Sequence, residues 1–291
     1  MYKRHRFQRR ANLDPDGVVG PATTRLLNLK PRERVDQIRV NLERWRWLPA
    51  NPGDRHLRIN IADYRLEAHE HNHITRVHDV IVGQYYRKTP VFSANLTYAI
   101  LNPWWETPAR LARLDKLPIF QKSPEKVEKL GFQVLDQDGK VLNTREIDWQ
   151  KYNPSHFPFR LRQQPGPQNA LGRIKFMLPN RHDVYLHDTP SRELFDKTRR
   201  DFSSGCIRVK DPVGLAEWVF RDNEDWPRER IERTIASGRE TRVTLKQPVQ
   251  THLLYWTVVS SEETGDIRFI DDIYDRDPPV LGALNTSTAL P

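Results

Sequence analysis

Hydrophobic positions recur at two different periods along the chain, and the change of period separates helical from extended segments. In the stretch RVDQIRVNLERWRWLP, Val35, Ile38, Leu42 and Trp45 recur at the spacing of one helical face. This pattern predicts an amphipathic helix, and the prolines and glycine of the PANPG stretch that follows predict its end. The preceding residues 30–32, Lys-Pro-Arg, are predicted to form a linker.

From residue 56 the period becomes two, which is the period of a β-strand. Leu57, Ile59 and Ile61 alternate with polar residues, and the stretch YRLEAHE alternates again with the parity shifted. The shift predicts a turn between two paired strands. The segments HDVIVG and LTYAILNP extend the β pattern, so we expect a meander of strands in this part of the chain.

A long irregular segment interrupts this pattern over about residues 104–172, and it is rich in proline, asparagine, glutamine and aromatic residues. Such segments between two β regions are more often functional lids than connectors, so we expect an inserted helical cap there. The alternation resumes at Ile174 and continues through Val184 and Leu186. Tyr185 and His187 are therefore predicted to share the opposite face of that strand.

The remaining signals complete a mixed α+β fold. Asp211 and Pro212 predict the N-cap and the first turn of a helix. The C-terminal stretch predicts a hairpin around Thr264 and Gly265, flanked by alternating apolar residues. We therefore expect a mostly β catalytic domain over residues 35–291, with the cap inserted into it.

The first thirty residues carry a separate set of turn and helix signals. The DPDG stretch of residues 14–17 is strong turn chemistry, and Gly20 and Pro21 begin a short helix. The sequence FQRRANLDPDGVVGPATTRLLN resembles the second half of the small three-helix peptidoglycan-binding module. The resemblance implies that residues 1–30 form a partial module, which either packs on its neighbour or is a remnant.

The balance of charges narrows the classes of partner. The 291 residues include 47 lysines and arginines against 38 aspartates and glutamates, a formal net charge of +9. This balance favours an anionic partner such as nucleic acid, a membrane surface or a charged wall polymer. We expect no nucleic-acid partner, because no nucleic-acid-binding motif accompanies the charge.

We also expect no membrane span in this chain. The longest strongly apolar run, His252 to Val259, is far shorter than the about 20 apolar residues that a membrane helix needs. The N-terminus MYKRHRFQRR is basic, but the apolar stretch of a signal peptide does not follow it. No signal peptide is therefore predicted in this chain.

The candidate chemistry centres on Cys206, the only cysteine of the chain. A lone cysteine is by default a buried structural residue, but the surroundings of this one favour a nucleophile. The preceding SSG predicts a tight turn whose backbone N–H groups can stabilise an oxyanion. Arg208 lies on the side of Cys206 if the segment is extended, and a surface salt bridge is its alternative role. His187 can act as the base if the chain returns to a neighbouring strand.

Two other patterns offer weaker chemistry. In HEHNH, the histidines at positions 69, 71 and 73 would share one face of a strand, as a zinc site requires. The stretch lies where a hairpin turn is expected, however, so we predict a solvated turn and no metal site. Trp104 and Trp105 are either a platform for stacking a sugar or the hinge of the cap. The hinge is favoured, because Pro103 and Pro108 stiffen the backbone around them.

The segment from His187 to Val209 resembles the signature of the L,D-transpeptidases (YkuD fold), in which a histidine precedes a Ser/Thr-x-Gly-Cys turn. The stretch NALGRIKFMLPNRHDVYLHDTP is similar to the strand pair that leads to the family's histidine, and the long insertion resembles the cap of the large YcbB-like branch. Many family members carry a second histidine where this chain has Ser204. Two residues after the cysteine the family carries asparagine or arginine, and Arg208 fits the second form.

The resemblance implies a YkuD-like β-sandwich, no cofactor and a cysteine mechanism. Cys206 would attack the carbonyl of diaminopimelate at position three of a peptidoglycan tetrapeptide stem, release D-Ala, and pass the acyl group to an amine in a 3→3 cross-link. His187 would carry the proton, and N–H groups near Gly205 and Cys206 would stabilise the oxyanion. The residues expected to bind the substrate are Tyr185, Arg208, Ser204, Asn169 and Trp105.

The resemblance also implies partners, a location and an inhibitor class. Stem peptides and glycan strands of peptidoglycan would be the partners, with other wall-synthesis enzymes as further candidates, and the periplasm would be the location. Carbapenems would acylate Cys206. Two alternatives stay open at this stage: an L,D-carboxypeptidase that hydrolyses the same bond, and a wall-binding protein without catalysis.

Overall fold

The computed structural model describes residues 2–11, 13–260 and 265–287. Its helices are α1 (Tyr2–Arg10), α2 (Pro21–Leu27), α3 (Pro31–Trp45), α4 (Ala109–Leu111), α5 (Leu117–Lys122), α6 (Lys126–Lys129), α7 (Pro212–Val219), α8 (Arg228–Ala236) and α9 (Asp277–Ser287). Its strands are β1 (Arg55–Asn60), β2 (Arg65–Glu70), β3 (His73–Gly83), β4 (Phe92–Leu101), β5 (Trp105–Glu106), β6 (Phe132–Leu135), β7 (Arg160–Gln163), β8 (Ile174–Met177), β9 (Leu186–His187), β10 (Asp201–Ser203), β11 (Ile207–Val209), β12 (Thr241–Leu254), β13 (Val258–Ser260) and β14 (Ile267–Phe269). Short 3-10 turns lie at Tyr85–Arg87, Thr144–Glu146, Trp149–Lys151 and Arg192–Asp196, and a π-helical turn lies at Ala112–Lys116.

The main sheet curls until it closes on itself. Its strand order is β10-β3-β11-β9-β8-β4-β12-β1-β2, and β2 also pairs with β3. In the β1–β2 hairpin, Leu57 lies opposite Ala68 and Ile59 lies opposite Leu66. The two alternating stretches of shifted parity therefore face the same interior, which confirms the predicted strand pair. The closed sheet, called the barrel below, has two walls that face each other across one core.

Alternate residues of the strands fill the interior of the barrel, and helix α7 contributes to the same core. The side chain of Asp211 accepts a hydrogen bond from the N–H of Gly214 at 3.0 Å, and Pro212 is the first residue of α7. This confirms the predicted helix start. The hairpin of β13 and β14 is also present, with Val258 opposite Phe269, although Thr264 at its predicted turn lies outside the described residues. The expected mixed α+β class is confirmed.

Residues 105–171 build a second hydrophobic core beside the barrel. Strands β5, β7 and β6 form a small antiparallel sheet, and Phe120 packs edge to face against Phe132 and Trp149. Tyr185 of the barrel contacts both cores. This insertion, called the cap below, therefore covers the wall of the barrel that carries Tyr185. The proposed domain boundaries stay predictions.

Helix α3 is present, but the prediction of its buried face was wrong. Val35 and Leu42 are 54% and 60% exposed, because the helix packs on the barrel through polar side chains. Gln37 donates to the backbone oxygens of Thr257 and Ile270 at 2.9 and 3.0 Å. The packed face also carries the buried Val40 and Asn41, and the amide of Asn41 donates to the hydroxyl of Thr257 at 2.8 Å. Polar contacts together with Val40 therefore take the place of the predicted apolar stripe.

The predicted linker at residues 30–32 was also wrong, because α3 begins at Pro31. Proline at the first helical position has its φ preset for the helix and needs no hydrogen-bond acceptor. The side chain of Glu33 accepts the N–H of Lys30 at 2.7 Å, which caps the helix.

The N-terminal segment folds around the predicted turn. Gly17 has a φ of +75°, and its N–H donates to the side chain of Gln8 at 2.8 Å. An ion pair of 3.1 Å joins Arg25 to Asp271 and ties the segment to the rest of the chain. Its identity as a partial peptidoglycan-binding module stays a prediction. Among the described residues, no helix is long and apolar enough to cross a membrane.

The three histidines of the HEHNH stretch do not converge. His69 is buried and stacks on His56, with ring centroids 4.7 Å apart. His71 and His73 are exposed at the β2–β3 turn, where His71 and Asn72 have positive φ angles. Within the described parts of the chain, no group of three histidine, cysteine or acidic residues is placed to hold a metal ion.

Stability is expected to fall as the pH decreases from about 6.5 to about 4. Burial lowers the pKa of His56 from 6.5 to about 4 and also lowers the pKa of His252. Between these pH values the histidines of the unfolded chain bind protons and those of the folded chain do not. Acid therefore favours unfolding in this window, and the stability is regained as the pH rises. Urea unfolding of wild type and His56→Gln between pH 7 and pH 4.5 tests this.

The variant is expected to show a shallower loss of unfolding free energy than wild type. His71→Gln, at an exposed histidine, is the matched control and should keep the wild-type slope. An unchanged slope in His56→Gln would show that this ring does not couple protonation to folding.

Candidate active site

One wall of the barrel carries the candidate catalytic side chains on its outer face. Strand β9 pairs in parallel with β11, with Leu186 opposite Ile207 and His187 opposite Arg208. Strand β8 places Lys175 opposite His187. Leu186 and Ile207 lie in the core, so His187, Arg208 and Lys175 share the outer face, beneath the cap. The predicted common face of Tyr185 and His187 is confirmed by their ring centroids, 5.6 Å apart.

His187 is buried and held in one orientation. Its Nδ1 lies 2.5 Å from the backbone oxygen of Asp188, so Nδ1 carries the proton and Nε2 is the free base. Ion pairs to the side chain of Asp188 anchor that residue. Burial, followed by the charges of Arg208 and Lys175, lowers the pKa of His187 to about 3. The imidazole is therefore neutral at neutral pH.

Cys206 is the residue immediately before β11, and the N–H of Ile207 donates to the carbonyl of Tyr185 at 3.0 Å. The thiol thus lies level with Tyr185, and its Sγ donates a hydrogen bond to the backbone oxygen of Asp183 at 3.7 Å. Burial raises the pKa of the Cys206 thiol, while Tyr185 and the charges of Lys175 and Arg208 act against the rise. With the histidine pKa lowered and the thiol pKa raised, the proton rests on sulfur in the free protein.

Three cations lie on this face, and each interacts with an acidic residue only at longer range than an ion pair. The Nζ of Lys175 lies 4.0 Å from the ring centroid of Tyr185, and the Nζ of Lys116, from the cap, lies 5.3 Å from that of Trp105. Arg208 has a buried Nε without a hydrogen-bond partner. In the described part of the chain, none of the three cations forms an ion pair or a side-chain hydrogen bond.

Burial lowers the pKa of Lys116, Lys175 and Arg208, and the charge of Arg208 lowers that of Lys116 further. A partly buried cation without a partner is costly. The arrangement therefore favours an anion at this face, either the thiolate of Cys206 or a carboxylate of a bound molecule.

The predicted oxyanion donor at Gly205 is already engaged. Gly205 has a φ of +117°, and its N–H donates to the hydroxyl of Ser203 at 3.1 Å. The hydroxyl of Thr89 donates to the carbonyl of Gly205 at 2.8 Å. Among the hydrogen bonds of the described residues, the N–H of Cys206 has no acceptor. That N–H is the backbone donor left for a developing oxyanion.

Ser204 connects the cysteine turn to the cap. Its hydroxyl accepts a hydrogen bond from Arg87 at 2.8 Å, and the same guanidinium grips both carboxylate oxygens of Asp115 at 2.7 and 2.8 Å. Asp115 belongs to the π-helical turn of the cap and precedes Lys116. The position where many relatives carry histidine therefore serves here as an attachment point for the cap.

Removal of Arg87 is expected to loosen the cap turn. In Arg87→Ala, Asp115 and Ser204 lose their common partner, so amide hydrogen exchange over residues 112–116 should accelerate by at least about tenfold. Arg145→Ala breaks a similar two-contact pair with Glu128 on the outer surface of the cap and should leave residues 112–116 unchanged. Equal exchange in wild type and Arg87→Ala would contradict this role.

The other two candidates for substrate binding differ in position. Trp105 lies beside Tyr185 and acts to lower the pKa of the Tyr185 hydroxyl. The structure therefore brings Trp105 to the site. Asn169 is not brought there. Its amide donates to the carbonyls of Pro103, Gln163 and Gln164, and its oxygen accepts the N–H of Leu171. Asn169 thus ties the base of the cap together.

Sequence reasoning missed Lys175, Lys116 and Arg87. The alternation of Ile174 and Phe176 placed Lys175 on the face of His187, so a signal for it was present. Lys116 and Arg87 reach the site from segments with no local motif, and only the docking of the cap brings them there.

The fold and this geometry define a class of site: a cysteine and a neutral histidine beside several cations, on the outer face of a closed β-sheet and beneath an inserted cap. A family model described as the L,D-transpeptidase catalytic domain, YkuD, matches residues 54–247, and the chain belongs to this family. The resemblance in the segment from His187 to Val209 is thereby confirmed. The YcbB-like branch stays a prediction.

Individual relatives agree with this family. A curated protein of Haemophilus influenzae named "Putative L,D-transpeptidase" is 33% identical over 245 residues, which cover 84% of this chain and 48% of that protein. The chain thus spans about half the length of this relative.

Two solved structures are more distant. The structure of LdtMt1 in complex with imipenem is 11% identical at a TM-score of 0.33, with 69% of this chain and 59% of that chain covered. An L,D-transpeptidase from Mycobacterium smegmatis is 12% identical at a TM-score of 0.29, with 68% and 58% covered.

Proposed function

We propose that this chain is a cysteine-dependent L,D-transpeptidase that forms 3→3 cross-links in peptidoglycan. The observation that carries the proposal is the common outer face of Cys206, Tyr185, His187 and Arg208 beneath the cap. The thiolate of Cys206 attacks the carbonyl carbon of diaminopimelate at position three of a tetrapeptide stem. A C–S bond forms, the C–N bond to the terminal D-Ala breaks, and D-Ala leaves as a free amine. An amine of a second stem then displaces the thiol and forms the cross-link.

His187 moves the protons in this scheme. Its free Nε2 accepts the proton of the thiol as the C–S bond forms and gives it to the departing amine. In the second half it takes a proton from the attacking amine and returns it to sulfur. The N–H of Cys206 binds the oxyanion of each tetrahedral intermediate, and Tyr185, level with the sulfur, helps to lower the pKa of the thiol against the effect of burial.

The unpaired cations give the substrate a role in its own activation. Burial first, and then the charges of Arg208 and Lys175, hold the pKa of His187 down, so the free enzyme has a weak base. A stem carboxylate bound by Arg208 and Lys116 offsets that positive charge and raises the pKa of His187. The base then becomes competent when the anionic substrate is in place. Trp105 belongs to the core of the cap, against which Tyr185 packs, while Ser204 and Asn169 act by holding the cap.

Purified disaccharide tetrapeptides provide the direct test, with products followed by mass spectrometry. The proposal expects free D-Ala together with a dimer joined between two diaminopimelate residues. Release of D-Ala without a dimer would assign the chain to L,D-carboxypeptidases. No product at all would leave a wall-binding protein as the function. Because the substrate is peptidoglycan, we also propose that the chain works in the periplasm, within the cell envelope.

A further inference from the structure

A groove of about 660 Å³ lies on the wall of the barrel opposite the candidate active site. Strand β1 forms part of its floor, and β1 is four strands from β9 in either direction around the closed sheet. Arg58 and Asn60 of β1 face outward beside Glu67 and Arg65 of β2. Its volume is in the range of ligand-binding sites, roughly 300–1,000 Å³.

A pair of stacked tryptophans forms a flat aromatic surface at one side of this groove. The rings of Trp45 and Trp256 are 4.3 Å apart and inclined by 12°. Trp256 is buried, whereas Trp45 at the end of α3 is 47% exposed. One face of the Trp45 ring thus packs on Trp256, and about half of the Trp45 side chain is exposed to solvent. Such a rigid indole binds a flat apolar face at a low cost in conformational entropy.

The remaining lining combines apolar residues with charged residues whose signs nearly balance. The guanidinium of Arg268 donates two hydrogen bonds to the carboxylate of Asp63, at 3.2 and 2.7 Å. An ion pair of 3.1 Å joins Asp266 to Arg10, which belongs to the N-terminal segment. The charged residues of the lining are Arg10, Arg58, Arg65, Arg268, Asp63, Glu67 and Asp266. The groove therefore offers both hydrogen-bond donors and acceptors beside the aromatic surface.

We propose that this groove binds a glycan strand. A pyranose ring has an apolar C–H face that fits an exposed indole, and its hydroxyl and acetamido groups need both donors and acceptors at the edges. A phosphate polymer fits less well, because three carboxylates line the groove along with the arginines. The inference rests on the proposed function for the source of the glycan, which is peptidoglycan.

The position of the groove gives it a specific role. A glycan strand bound in the groove lies on the wall of the barrel opposite Cys206. The stem that enters the active site is therefore not attached to the part of the strand that the groove holds. The groove therefore anchors the protein to the wall polymer and raises the local concentration of stems. Its contribution should appear with polymeric substrate and be absent from the turnover of short peptides.

Binding of peptide-free glycan strands to the full chain, measured by calorimetry in the Cys206→Ala background, tests the proposal without catalysis. Trp45→Leu keeps an apolar cover over Trp256 but removes the flat ring, and it should weaken binding by at least about tenfold. Trp47→Leu is the matched control. Trp47 is 56% exposed two residues away but does not line the groove, so its loss should leave the affinity at the wild-type value.

A second measurement compares turnover of intact sacculi with turnover of soluble tetrapeptides in the Cys206-containing protein. The ratio of the two rates should fall in Trp45→Leu and stay constant in Trp47→Leu. If neither wild type nor the variants turn over any stem while glycan binding still depends on Trp45, the proposed transpeptidase function is wrong and the proposal that the groove binds glycan is supported. Wild-type affinity in a correctly folded Trp45→Leu would overturn the groove, as would tighter binding of single-stranded DNA than of glycan.

Discussion

Replacement of Cys206 by alanine is expected to abolish both D-Ala release and dimer formation. Without the thiol there is no nucleophile to form the thioester, and loss of a catalytic nucleophile commonly costs about 10⁴-fold or more in kcat. The thiol has no covalent partner in the chain and follows a turn held by Ser203 and Thr89. The fold should therefore survive, which thermal unfolding of the variant would verify.

The acyl-enzyme itself gives the second readout for this variant. Wild-type protein mixed with tetrapeptide, or with a carbapenem, should gain the mass of one covalent adduct, and Cys206→Ala should gain none. The chain has a single cysteine, so an adduct that persists in the variant would have to be on another residue and would contradict the mechanism. Adduct formation without turnover in wild type would place the defect in the second, amine-dependent half.

Replacement of His187 by asparagine is expected to lower kcat by about 10² to 10⁴-fold. The asparagine amide can still donate to the carbonyl of Asp188, as Nδ1 does now, so the local backbone should hold. It offers no basic nitrogen to the thiol, so the proton must leave Cys206 by way of water. Single-turnover acylation followed by mass spectrometry measures the affected step directly.

Two controls separate the loss of a base from a structural effect. His182→Asn changes an exposed histidine of the preceding loop and should retain wild-type acylation. Raising the pH should recover part of the acylation rate in His187→Asn, because a larger fraction of Cys206 is then ionised without help. An acylation rate equal to wild type at neutral pH would remove His187 from the role of base.

The electrostatics of the site point to a resting state that is chemically quiet. The lowered pKa of His187 and the raised pKa of Cys206 keep both groups neutral. A neutral thiol is less readily oxidised than a thiolate. The cap completes this arrangement, since it supplies Lys116 and is tied to the cysteine turn through Arg87. This charge distribution favours the entry of an anionic ligand.

Several features of the protein were readable from local patterns. The alternation around Leu186 was sufficient to put Tyr185 and His187 on one face, because side chains of a strand alternate whatever the rest of the fold does. The turn before Cys206 and the helix start at Asp211 are likewise local, and both are present. The strand pair of β1 and β2 followed from a shift of parity, which a reversing turn between two strands produces.

Helix α3 shows where local patterns mislead. Its periodicity predicted the helix correctly. The face that packs, however, is the one on which Gln37 donates to the carbonyls of Thr257 and Ile270, more than two hundred positions away in the chain. The histidines of the HEHNH stretch were separated for a similar reason, since a turn at His71 and Asn72 sends their side chains to different surroundings.

The sequence by itself thus determined the strands, the turn that presents Cys206 and the face that holds His187, because each depends on residues close in the chain. Only the tertiary structure decided which charges meet there. Lys116, Lys175 and Arg208 belong to three separate segments, and their pKa values depend on how deeply the closed sheet and the cap bury them together. Burial and proximity are properties of the whole fold, and no local pattern encodes them.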